Sequence, residues 1–201
     1  MRRLVERVER YWFRPASFGD LSLLRIVLVG MAVLLLLNHW LAVDAGASPW
    51  SDLDVQLRLA SLDGSEFLPI PALKVLMLPL GGWEARPSPM LLHAVWYGAV
   101  LSGSLALIGL FTRTSLAGFA VSLTFLLAHG YSYGERHHAE APLVIALWVL
   151  AAAPAVRRGW TLDELRWRLG ETESEGGPPR GLGEWERSPS ARWPIRVVQW
   201  V

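Results

Sequence analysis

Four stretches of this chain are apolar for long enough to dictate the solvent they fold in: residues 21–43, 91–110, 115–128 with its flanks, and 139–156. A bilayer hydrocarbon core is roughly 30 Å thick, and a helix rising about 1.5 Å per residue crosses it in about 20 residues. The first stretch carries one charge, Arg25, and the second carries none. The last two reach spanning length only if Tyr131 to Tyr133 or Arg157 sit in the interface. Lipid offers an unpaired backbone amide no partner, so helices are the open-ended way across. The expected fold class is an all-α integral membrane protein, a four-helix transmembrane bundle with the start of a fifth helix.

Composition agrees: the 201 residues are 52% hydrophobic and 18% charged. A net charge of +1 argues against a nucleic-acid surface, because nearly every basic residue is offset by an acid. The absence of cysteine removes disulfides, thiolate nucleophiles and thiolate metal sites together. Trp12, Trp40, Trp83 and Trp160 fall close to expected helix ends, as in an interfacial aromatic belt. Ala45, Gly46 and Ala47 imitate a signal-peptidase site, but the apolar run before them is about twice the usual core of 7–15 residues. The first stretch therefore reads as a retained helix.

Arginine sets the expected orientation. Arg2, Arg3, Arg7, Arg10 and Arg14 precede the first span, Arg113 separates the second from the third, and Arg157, Arg158, Arg166 and Arg168 follow the fourth. The 44–90 connection opposes Arg58, Lys74 and Arg86 with Asp44, Asp52, Asp54, Asp63, Glu66 and Glu84. The positive-inside rule then places the N-terminus in the cytoplasm of a multi-pass protein of the cell's inner membrane, with 44–90 and 129–140 facing outward. Residues 1–20 read as an amphipathic segment on the cytoplasmic side, and 21–169 as the transmembrane domain. Within 44–90, the apolar run 72–80 is too short to span and suggests a re-entrant or interfacial helix. Thr161, Leu162, Asp163 and Glu164 fit a capping box for a short helix reaching Arg168. Residues 170–192 read as a flexible cytoplasmic linker and 193–201 as the opening of a further apolar helix, so the chain looks like a fragment of something longer.

The densest polar cluster is the 129–140 loop, with His129, Tyr131, Tyr133, Glu135, His137, His138 and Glu140. A histidine pair with Glu140 could bind a metal, yet the spacing matches no metal signature and none is expected. The alternatives left open are a hydrogen bond from His137 or His138 to a quinone or other carbonyl ligand, and simple interfacial capping. Asn38, His39 and His93 approach the same level, so one outward pocket could gather them with His129, Tyr133, His137 and His138. Arg25, about one turn into the first span, reads either as functional or as a side chain that snorkels or pairs with Asp20. Gly98, Ser102, Gly103 and Ser104, with Gly118 on the next span, form small-residue packing faces. No phosphate loop, dinucleotide fingerprint or serine elbow is present, and Lys74 is the single lysine.

The text from Phe18 through Asp20, Ser22 and Arg25 to Val27 resembles the opening of the horizontally transferred transmembrane (HTTM) domain, the membrane half of vitamin K-dependent gamma-carboxylase and its bacterial relatives. Gly109, Leu110, Phe111, Thr112 and Arg113, then His137 and His138, then Trp160, Thr161, Leu162 and Asp163, follow in the order that family shows. The resemblance covers roughly residues 13–163. It implies a reduced, vitamin K-like quinone as cofactor, His138 as the loop histidine with His137 beside it, and Arg25 as the first-span arginine. In that scheme a lysine in the span after the linker starts hydroquinone chemistry, and this chain stops before that position. Carboxylation by these residues alone is therefore not implied. Two further readings remain: a non-catalytic membrane protein that binds a protein partner or lipid, and a quinone-associated protein similar to the DoxX group, which shares the Gly109 to Arg113 style of turn.

Overall fold

The computed structural model describes residues 16–37, 53–62, 64–80, 82, 86–134, 140–175 and 187–200. Eight α-helices account for most of them: α1 Phe18–Leu36, α2 Leu53–Ser61, α3 Pro71–Met77, α4 Pro89–Ile108, α5 Thr112–Tyr131, α6 Ala141–Ala152, α7 Leu162–Glu175 and α8 Pro189–Trp200. The strands β1 Ala16–Ser17 and β2 Arg187–Ser188 pair antiparallel, with Ala16 opposite Ser188.

Local chemistry sets the helix ends. Ser17 ends β1 and caps α1, its hydroxyl accepting from the Asp20 N–H at 3.0 Å, so the helix begins at Phe18 and the expected boundary after residue 20 falls inside it. Ser88 caps α4 in the same way, with Pro89 at the first position, where a missing N–H costs nothing. Gly109 closes α4 at φ +74°, a conformation that suits a residue without Cβ. The third span is longer than its apolar count suggested, since Thr112–Tyr131 is one helix of 20 residues.

α1, α4 and α5 are long and apolar enough to cross a membrane, as a membrane-associated chain requires. Their unpartnered faces stay apolar: Leu23, Val27, Met31 and Leu34 on α1, and Tyr97, Leu101 and Ile108 on α4, are half or more exposed. In water such stripes would drive aggregation; hydrocarbon suits them. α5 is the most enclosed, with 61% of its most apolar stretch buried against 28% for α4. α4 and α5 pack most extensively, α6 lies on the other side of α5, and α1 contacts both α4 and α6. Gly103 permits the close approach, because a Cβ there would stand 2.8 Å from Val33 Cγ2 and 2.9 Å from Phe119 Cε2. Gly98, expected to do the same, has nothing within 4 Å of such an atom. Leu21, Val29, Leu36, Leu116, Leu123, Leu147 and Leu150 fill the core between these helices.

Other expectations need correcting. The fourth apolar stretch is helical over 12 residues only, because Ala153 is extended ahead of Pro154 and a 3-10 turn, Pro154–Arg157, follows. The expected linker 170–192 contains the end of α7, which runs to Glu175, as well as β2 and the first turn of α8. α8 starts four residues before the expected 193 and is not an apolar helix: Arg192, Arg196 and Gln199 share it with buried Ala191 and Pro194. It packs on α1, α6 and β1. The stretch expected to be re-entrant or interfacial is α3 followed by the 3-10 turn Leu78–Leu80; its Leu73 and Met77 join Phe67, Leu92, Phe125 and Ala128 in a second apolar cluster. The amphipathic reading of residues 1–15 lies outside the described residues.

Candidate functional site

Polar side chains gather at the two ends of α5, about 26 Å apart along the helix from Thr112 to His129. At the Thr112 end stands Arg25, wholly buried. Its Nη2 donates to the Trp160 carbonyl at 2.7 Å, and Asp163 acts on it through space. Nε and Nη1 find no hydrogen-bond partner among the described residues. Protein encloses Arg25 on all sides, whereas Asp20, its other expected partner, is exposed. Gly109 and Thr161 wall it in, a Cβ on Gly109 falling 2.5 Å from Arg25 Nη1 and 2.7 Å from Thr161 Cβ.

Asp163 ties this end together. Its carboxylate accepts from the Phe111 N–H at 2.8 Å, from the Thr112 N–H at 2.6 Å and from the Thr112 hydroxyl at 2.7 Å, while its own N–H donates to the Gly109 carbonyl at 3.0 Å. A side chain some fifty residues along the chain thus serves as N-cap for α5, whose own cap residue, Phe111, has no oxygen and sits at φ +48°. Partial burial pushes the Asp163 carboxyl up, but the Thr112 and Phe111 hydrogen bonds and the Arg157 charge outweigh it and hold the group below its ordinary value. Ser22 extends the network by donating to Phe18 O and Arg158 O and accepting from the Trp160 N–H. Thr161 caps α7 as expected, accepting from the Glu164 N–H at 3.0 Å; the Glu164 carboxylate turns to Arg168 at 2.8 Å instead of closing a capping box.

The other end is built on a neutral ring. His129 is wholly buried, and its Nδ1 is hydrogen-bonded to Gln56 Oε1. Gln56 Nε2 donates to the Leu126 carbonyl at 3.2 Å, which fixes the amide so that its oxygen faces the imidazole. In the neutral ring the proton therefore sits on Nδ1, and Nε2, with no partner among the described residues, carries the lone pair. Tyr133 stands edge-on to His129 at 5.4 Å between ring centroids, and Phe67 lies 5.2 Å from Tyr133. Arg86 clamps this group, donating to Tyr133 Oη at 3.2 Å and Leu62 O at 2.6 Å while lying over the Phe67 ring. Leu68 N–H to Ser132 O, and Ile70 N–H to the Ser132 hydroxyl, fasten the preceding loop to the end of α5.

Of the six candidates read from the sequence, the structure brings His129 and Tyr133 together. His93 shares their end of the molecule but directs Nδ1 to the Pro89 carbonyl of its own helix at 2.8 Å. Arg25 belongs to the opposite end. His137 and His138, like Asn38 and His39, lie outside the described residues. Among the described residues no group of three or more His, Asp or Glu is placed to hold a metal ion. Gln56, Phe67 and Arg86 went unnoticed in the sequence. Gln56 had one available signal: a polar residue on the face of α2 that also carries Leu53, Leu57 and Ala60 has to find a buried partner.

No family model, curated protein or solved structure matches the chain.

Proposed function

We propose that this chain is a membrane domain similar to the HTTM family, crossing the lipid four times with its N-terminus cytoplasmic, and that its outer end holds a reduced quinone or a comparable lipid-like ligand against His129. α6 makes the fourth crossing with the turn that follows it; its 12 residues cover about 18 Å, and local thinning with Arg157 at headgroup depth makes up the difference. The separation of Arg113, Arg157, Arg158, Arg166 and Arg168 from the acidic 44–90 connection supports this orientation.

One observation carries the ligand: the Nδ1–H of His129 is committed to Gln56, so Nε2 can only accept. A hydroquinone offers it an O–H, whereas the oxidised quinone offers only carbonyl acceptors. Phe67 and Tyr133 supply aromatic faces for a planar ring. The proposal stops at binding and assigns no carboxylation chemistry to this chain.

The test is binding of a naphthohydroquinone and its oxidised form to detergent-purified protein, followed by difference spectroscopy. Wild type should prefer the reduced form, and His129→Ala should bind it roughly tenfold more weakly, the worth of one buried hydrogen bond. Equal binding by the two proteins removes His129 from the account.

A further inference from the structure

A cavity of about 400 Å³ opens at the Arg25 end, lined in part by Thr114, Arg157, Arg158, Asp163, Glu164 and Trp167. We propose that it binds the phosphate of an anionic lipid headgroup from the cytoplasmic leaflet. The inference rests on the membrane reading above and is independent of the quinone.

Both carboxylates in the wall are already engaged. Asp163 spends its oxygens on the Phe111 and Thr112 donors, and Glu164 is held by Arg168 at 2.8 Å and faces Arg158 at 3.9 Å. Each carboxylate charge is therefore offset at close range by its own donors. With Arg25 near Asp163 and Arg168 paired to Glu164, four guanidinium groups stand against two carboxylates among the described residues around the cavity, a formal excess of positive charge. Arg157 is exposed; among the described residues its side chain makes no hydrogen bond or ion pair, and it acts on Asp163 only through space. Arg158 lies over the Trp167 ring at 5.1 Å, which presents its charge flat along the cavity wall.

The surroundings select a lipid over a phosphate free in water. Phe111, Trp160, Leu162, Leu165, Trp167 and Leu169 are all exposed at this end, a rim that prefers the boundary between headgroup and acyl chain. The cavity also lies beside the turn that joins α4 to α5, a helix end that the membrane reading puts at headgroup depth. Arginine clusters at this depth on the cytoplasmic side are the general means of capturing anionic lipid.

Purified protein in detergent is titrated with phosphatidylglycerol, phosphatidylcholine and inorganic phosphate, and retained lipid is counted by native mass spectrometry. Phosphatidylglycerol should bind and phosphatidylcholine should not. The double variant Arg157→Gln and Arg158→Gln should lose roughly tenfold in phosphatidylglycerol affinity. Arg166→Gln, which alters an exposed arginine outside the cavity, should match wild type. Equal retention by the double variant overturns the site, and competition by inorganic phosphate at equal concentration overturns the lipid as occupant. Flotation of the same proteins with phosphatidylcholine vesicles separates the two readings: if wild type fails to float, membrane insertion fails, whereas floating without phosphatidylglycerol selectivity defeats the cavity alone.

Discussion

The two ends of α5 solve the same problem, a polar side chain under apolar cover, in opposite ways. At the Thr112 end the buried group is a cation, Arg25, and backbone from two segments closes on it: the Trp160 carbonyl and the Gly109 turn, which Asp163 ties to each other. At the His129 end the buried group is an imidazole, with one nitrogen engaged by Gln56 and the other buried without a hydrogen-bond partner among the described residues. A charge in a low-dielectric setting has to be surrounded by fixed dipoles, so the first end becomes a lock among α1, α4, α5 and α7. An imidazole can be buried in its neutral form, so it carries no such demand.

The contrast breaks first at Gly109. Gly109→Ala puts a Cβ into Arg25 and Thr161 in a left-handed backbone conformation, and should destabilise by roughly 2–5 kcal/mol, read as a fall in melting temperature in detergent. Asp163→Ala should come next. It removes the cap of α5 and the carboxylate nearest Arg25, a loss of roughly 2–3 kcal/mol by the same assay.

Asp163 also predicts a pH dependence. Its folded pKa lies below the unfolded value of about 4, so its contribution is complete above that value and is lost as pH falls through the lower, folded one. Wild type should therefore lose stability below about pH 4 more steeply than Asp163→Ala. Parallel curves for the two proteins would show that the carboxylate does not hold the lock.

At the other end, Gln56→Leu should cost about 1–3 kcal/mol by stranding His129 Nδ1. It should also erase the preference for a reduced over an oxidised quinone, because the ring proton is then free to move to Nε2. The smallest effect is expected of His93→Ala: among the described residues its ring bonds only to its own helix, and the change should stay within about 0.5 kcal/mol.

The sequence made the apolar helices legible because their lengths, and the one charge within the first apolar stretch, follow from the residues themselves. Helix ends were less legible. The start of α1 depends on Ser17 and the break after α6 on Pro154, both local signals that apolar counting passed over. Asp163 was legible as part of a helix start; its role as the distant cap of α5 was not, since nothing local to Phe111 reports a partner so far along the chain. The same holds for Gln56 and His129, which are 73 residues apart. Arg25 shows the limit most plainly. Its type and depth were readable, but whether it snorkels or is enclosed depends on where the chain after Arg157 returns.

The central claim is that the Arg25 and His129 ends lie on opposite sides of a membrane, and a chain without cysteine permits a direct measurement. Glu66→Cys marks the His129 end and Arg166→Cys the Arg25 end, both at exposed positions. In sealed, right-side-out vesicles an impermeant maleimide should label Cys at position 66 at once and Cys at position 166 only after permeabilisation. Labelling of both from one side, or in the reverse order, would contradict the account.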